Sequence, residues 1–84
     1  MSKYSRRHYQ DVAREIAMEY KGTMDFDWIR RGRKVTPNDI HTRTMKIDTL
    51  RNLVSKFDVI FRIDNERYNS DLFIKACGIK EMQR

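Results

Sequence analysis

From Pro37 to Ile63, apolar side chains return every seven residues. Ile40, Ile47, Val54 and Phe61 set the beat, Leu50 and Phe57 take the complementary position, and Leu53 and Ile60 lie beside them. That spacing predicts a helix with a broad apolar stripe turned towards a core. Thr36 ahead of Pro37 is a start signal: a hydroxyl for the first orphan amides, and a proline where a helix needs no N–H. Unbroken, such a helix would run ~40 Å at ~1.5 Å per residue, which is long for so short a chain. The β-branched and polar run His41-Thr42-Arg43-Thr44 is where the pattern places a break. A separate turn at 37–42 and a main rod at 45–63 are therefore expected.

The pattern before and after this rod predicts two further helices. Ser5 caps the first, in which Tyr9, Val12, Ile16 and Tyr20 share a face with Ala13 and Ala17, and Lys21-Gly22 ends it. Near the end of the chain, Asn69 is a cap, Asp71 favours the positive helix terminus, and Tyr68 and Phe73 are spaced as a hydrophobic staple. Leu72, Phe73 and Ala76 supply the buried side, and Gly78 stops the helix. Segment 23–35 reads two ways. As a short helix it has Thr23 as cap, Asp25 and Asp27 at its start, Arg30 and Arg31 at its end and Gly32 as stop, all in accord with the helix dipole. As a hairpin strand, Met24, Phe26 and Trp28 alternate with the aspartates. The helix is favoured. The expected fold is all-α: one domain over 1–84, three helices, a short additional helical or turn element in 23–42, and mobile ends at 1–4 and 80–84.

Charge adds a bias towards anionic partners. The 84 residues carry 18 Lys and Arg against 12 Asp and Glu, a net +6, with a pI near 9.8. The first 34 residues hold nine basic and five acidic side chains, so the excess sits towards the front. Such a balance draws nucleic acid or other polyanions without specifying a fold. No apolar run approaches the ~20 residues needed to cross a bilayer, and the opening MSKYSRRHYQ lacks the apolar core of a secretory signal. A cytoplasmic protein is the expectation, and the single Cys77 fits a reducing compartment.

The two ends of the chain resemble a group of small proteins from tailed bacteriophages and prophages. The opening Arg7-His8-Tyr9-Gln10-Asp11-Val12-Ala13 matches that group's basic-His-Tyr/Phe-x-x-(Ile/Val)-Ala. The closing stretch, Asp64-Asn65-Glu66-Arg67-Tyr68 through Phe73-Ile74-Lys75-Ala76-Cys77-Gly78, matches its Asp-Asn-Pro-(Arg/x)-Phe…Phe-x-x-Ala-Cys-Gly. The match covers about 6–20 and 47–79. Glu66 stands where the group has proline, and about 21–46 reads as an insertion. The resemblance implies a phage origin, action in the host cytoplasm and a small helical fold, and it implies no chemistry.

Among the residues that could carry function, Trp28, Arg30, Arg31, Arg33 and Lys34 are foremost. Arginines grip phosphates bidentately, a nearby indole can stack on a base, and Gly32 allows close backbone approach to an anion. Arg6 and Arg7 would extend that surface. The plain alternative is a solvated turn with Trp28 closing the core. A helix-turn-helix over 10–31 fits poorly, because the first helix runs too far and two aspartates would face the DNA. Val59 and Ile63 lie off the main stripe, where they either meet the last helix or mark a protein interface. Asp25 with Asp27, and Asp64 with Glu66, lack a third ligand or base, and Cys77 reads as a buried filler. No metal, cofactor or enzymatic role is expected. The leading expectation is a non-enzymatic phage accessory protein that binds a host macromolecule, either nucleic acid or a nucleic-acid-bearing defence complex. The alternatives are a protein–protein inhibitor or assembly module using an apolar helix surface, and a homo-oligomer that sequesters a small anionic nucleotide.

Overall fold

The computed structural model describes residues 3–30 and 32–83. It contains α1 (Arg6–Met24), α2 (Pro37–Asp64), α3 (Ser70–Cys77) and a closing 3-10 turn at Lys80–Met82, with no strand among the described residues. The fold is the small all-α, three-helix domain expected. α1 and α2 are antiparallel: Tyr9 at the start of α1 lies 4.6 Å from Phe61 near the end of α2, ring centre to ring centre. After the end of α1, Trp28 lies under the Lys46 ammonium of α2. α3 then runs back alongside α1, from Tyr68 against Tyr9 to Gly78 beside Ala17. Phe61 is the hub, with Tyr4, Tyr9, Phe57, Tyr68 and Phe73 around it.

α1 does not stop at Gly22 but runs to Met24, and no separate helix forms among the described residues of 25–35. Thr23 is not a cap but a buried residue inside α1. The helix closes two residues later, where the Asp27 amide donates to the Gly22 carbonyl and the Phe26 amide to Thr23. Those paired bonds, with a left-handed residue between, are a Schellman termination. The left-handed position belongs to Phe26, at φ 59°, where glycine is usual and an L side chain costs about 1–2 kcal/mol. Packing supplies the offset: Phe26 lies 5.1 Å from the Trp28 ring and beneath the Arg43 guanidinium. Gly22 has a different task. The closing turn folds Asp27 back so far that a Cβ on Gly22 would stand 3.1 Å from the carboxylate.

α2 is unbroken over its 28 residues, so the expected interruption at 41–44 does not occur. Thr44 donates its hydroxyl to the Ile40 carbonyl and Thr49 to that of Met45, which lets β-branched polar residues stay in a helix. The apolar stripe is only half used. Ile47, Leu50, Val54 and Phe61 are buried, whereas Ile40, Leu53 and Ile60 are exposed. In α3, Asn69 caps the Leu72 amide and Gly78 ends the helix at φ 69°. Leu72 and Ala76 face outwards, however, and Phe73 and Cys77 supply the buried side.

Both ends of the described chain have tertiary partners. The Lys3 and Tyr4 amides donate to the Asp64 carboxylate. Ile79 is fully buried, and the Tyr20 hydroxyl donates to Glu81.

Candidate functional site

The basic segment after α1 is partly consumed by the fold. Arg33 donates two hydrogen bonds of 2.9 Å to the two carboxylate oxygens of Asp39. Asp39 also accepts from the Thr36 amide and hydroxyl, while the Thr36 hydroxyl accepts from the Asp39 amide. This is the capping box of α2, locked by an arginine. The Arg33 contacts, followed by the Thr36 amide, hold the Asp39 carboxyl well below the usual carboxylate range. Trp28 is half-buried between Phe26 and Lys46. The shallow hollow beside it, about 300 Å³, also takes Glu15, Glu19 and Asp27, which repel a phosphate. Arg30 and Lys34 remain exposed, and Arg31 lies outside the described residues.

Arg6 and Arg7 do not join that segment. They open α1, and Arg30 follows its end, so the length of the 19-residue helix, ~28 Å, separates them. Arg6 instead reaches a groove of about 580 Å³ between α1 and the α3 end of the chain. Tyr9, Tyr68, Phe73 and Leu72 form its apolar wall, and Arg6 and Arg67 stand at its edge. Among the described residues neither arginine has a carboxylate within 4.0 Å. Sequence reading missed Arg67 because nothing in the local pattern tells which loop residue will meet the first helix.

Beneath the groove lies a buried carboxylate that sequence reading also missed. Asp58 is 6% exposed and accepts hydrogen bonds from the Tyr68 hydroxyl at 2.7 Å, the Ser70 hydroxyl and the Arg62 guanidinium. A signal was present, since 54, 58 and 61 share the i, i+4, i+7 spacing of the stripe. Burial first, then Asp58, raises the Tyr68 phenol above its ordinary value. Burial pushes the Cys77 thiol up to about 12. Every donor around Asp58 belongs to the fold, which makes this a structural lock between α2 and α3. No three His, Cys, Asp or Glu side chains cluster as metal ligands among the described residues.

The outward face of α2 is left unpartnered. Met45, Leu53, Val59, Ile60 and Ile63 are all exposed on it, Ile63 at 81% and Ile60 at 44%. Val59 and Ile63 thus do not pack on α3. No helix among the described residues is long and apolar enough to cross a membrane. No family model, curated protein or solved structure matches the chain.

Proposed function

We propose that this protein acts by non-enzymatic binding to protein, with the outward face of α2 as its docking surface. One observation carries the reading: five large aliphatic side chains stand exposed along one side of a continuous helix. Scattered exposed apolar residues are ordinary, but Val59, Ile60 and Ile63 gather within five residues on one side of the helix, which suits a contact surface. The basic segment is a weaker candidate than its sequence suggested, because Arg33 and Trp28 serve the fold and three carboxylates flank the indole. The resemblance of both chain ends to small phage proteins supports an accessory role in the cytoplasm of an infected bacterium.

Affinity capture from bacterial lysate at low and high salt tests this reading. Retention of a protein partner should survive high salt and be lost with Ile60→Asp, yet persist with Arg30→Ala/Lys34→Ala. The reading fails if the chain instead binds labelled duplex or single-stranded nucleic acid, with loss at high salt, and Ile60→Asp leaves that binding intact.

A second reading concerns a small anion. Arg6 and Arg67 beside Tyr9 and Tyr68 suit a ligand with an aromatic ring and a phosphate, such as a nucleotide. Nucleoside phosphates would then raise the melting temperature of the wild type and not of Arg6→Ala/Arg67→Ala. An equal response from both proteins, or none, removes it.

A further inference from the structure

The molecule is too thin for its mass. It measures 50 × 19 × 18 Å with a radius of gyration of 14.8 Å, against about 12 Å for a compact chain of this length. Its accessible surface is 6854 Å², where a compact monomer of 10.2 kDa exposes roughly 5,300 Å². The excess of about 1,500 Å² exceeds the ~800 Å² that each partner covers in a standard interface.

The exposed face of α2 has a regular internal order. Positions 49, 56 and 63 form one line at seven-residue spacing, and 46, 53 and 60 form the complementary line three residues before each. This is the spacing of a helix-pair seam, with aliphatic side chains at three of its six positions. The residues are Thr49, Lys56 and Ile63 on the first line, and Lys46, Leu53 and Ile60 on the second. Pairing two copies in parallel would set Lys56 on Lys56 and Lys46 on Lys46. Antiparallel pairing sets the first line against the second. Ile60 then covers Thr49 of the other copy, Leu53 lies along the aliphatic stem of Lys56, and Ile63 falls at the level of Lys46, whose ammonium is held over the Trp28 ring. Each layer joins one aliphatic side chain to one short or long-stemmed polar side chain, and the two Lys56 residues fall in neighbouring layers, ~4.5 Å apart along the axis. Lysine stems lie well on apolar surface while their charged heads reach water.

We propose that the occupant of the α2 face is a second copy of this chain, bound antiparallel through Lys46–Ile63. This rests on the docking reading above and names its partner. α2 would then be covered on both sides, by α1 and α3 on one and by its symmetry mate on the other. The contact is isologous, so it closes at two copies.

Light scattering on the full chain over a concentration series is the test. The expected mass is about twice 10.2 kDa, falling to the monomer with Ile60→Asp at unchanged helical circular dichroism. Lys56→Leu should tighten the dimer by about tenfold, because it removes a charge from the seam. Orientation is read by oxidative cross-linking with Cys77 left in place, since it is buried. A mixture of Thr49→Cys and Ile60→Cys chains should link to each other, and Thr49→Cys alone should not. A wild-type chain that stays monomeric at every concentration overturns the proposal, as does self-linking of Thr49→Cys. If the chain is monomeric and Ile60→Asp still loses a captured partner, self-pairing fails while the docking reading stands. A dimer that ignores both Ile60→Asp and Leu53→Asp overturns the proposal, and a captured partner that also ignores them overturns the docking reading.

Discussion

Arg33 closes over Asp39 with two parallel hydrogen bonds of 2.9 Å, and one of the arginines expected to meet an anion thus fastens the start of the longest helix. Asp39 is the third helical residue of α2 and already belongs to its capping box with Thr36. The arginine adds one hydrogen bond to each oxygen of that carboxylate. It thereby joins the irregular segment after α1 to the first turn of α2.

This pair has a defined acid signature. The Asp39 carboxyl is depressed in the folded state, chiefly by Arg33, while in the unfolded chain it titrates near 4. Its contribution is therefore complete above about pH 5 and drains away as pH falls below about 4, towards the depressed folded value. Asp39→Asn should be less stable than wild type at pH 7, and the gap should narrow by pH 2. Thermal melts of the two proteins at both pH values check it. A gap that does not change with pH counts against the assignment.

Tyr68 gives the complementary case at high pH. Tyr68→Phe withdraws one of three donors from buried Asp58 and should cost about 1–3 kcal/mol in urea unfolding at pH 7. The raised phenol contributes stability that is whole below the unfolded value near 10 and is lost as pH climbs beyond it. In a spectrophotometric titration, the slowest of the four tyrosines to ionise should be missing from Tyr68→Phe.

Phe61 and Ile63 are two residues apart and should differ completely. Phe61 is 1% exposed at the centre of the aromatic cluster. Phe61→Ala should cost about 3–5 kcal/mol, enough to unfold much of a domain this small. Ile63→Ala should stay within about 0.5 kcal/mol in the isolated monomer. Circular dichroism at dilute concentration reads both.

Cys77 should be chemically silent. Its thiol is fully buried and pushed up to about 12, first by burial and then by Asp58. At pH 8 the native protein should react with a thiol reagent only as fast as it opens, and denaturant should release the reaction. Rapid labelling of the native chain would show that the α2–α3 contact is looser than its packing implies.

The sequence by itself determined the local elements. Seven-residue spacing marked α2, and Ser5, Thr36-Pro37, Asn69 and Gly78 marked the ends of helices. Each of those end signals acts over four residues or fewer, through backbone hydrogen bonding and allowed dihedral angles, so it can be read without knowing the fold. Tertiary structure decided everything that depends on which surfaces meet. Phe26 could end α1 in a left-handed conformation only because Trp28 and Arg43 were there to receive its ring. Arg33 became a lock because Asp39 lay within its reach. Above all, the broad stripe of α2 divided into a covered half at Ile47, Leu50, Val54 and Phe61, and an open half at Ile40, Leu53 and Ile60. Periodicity shows that a helix has an apolar side. It does not show how wide a neighbour will be, and two slender helices could cover only part of that stripe.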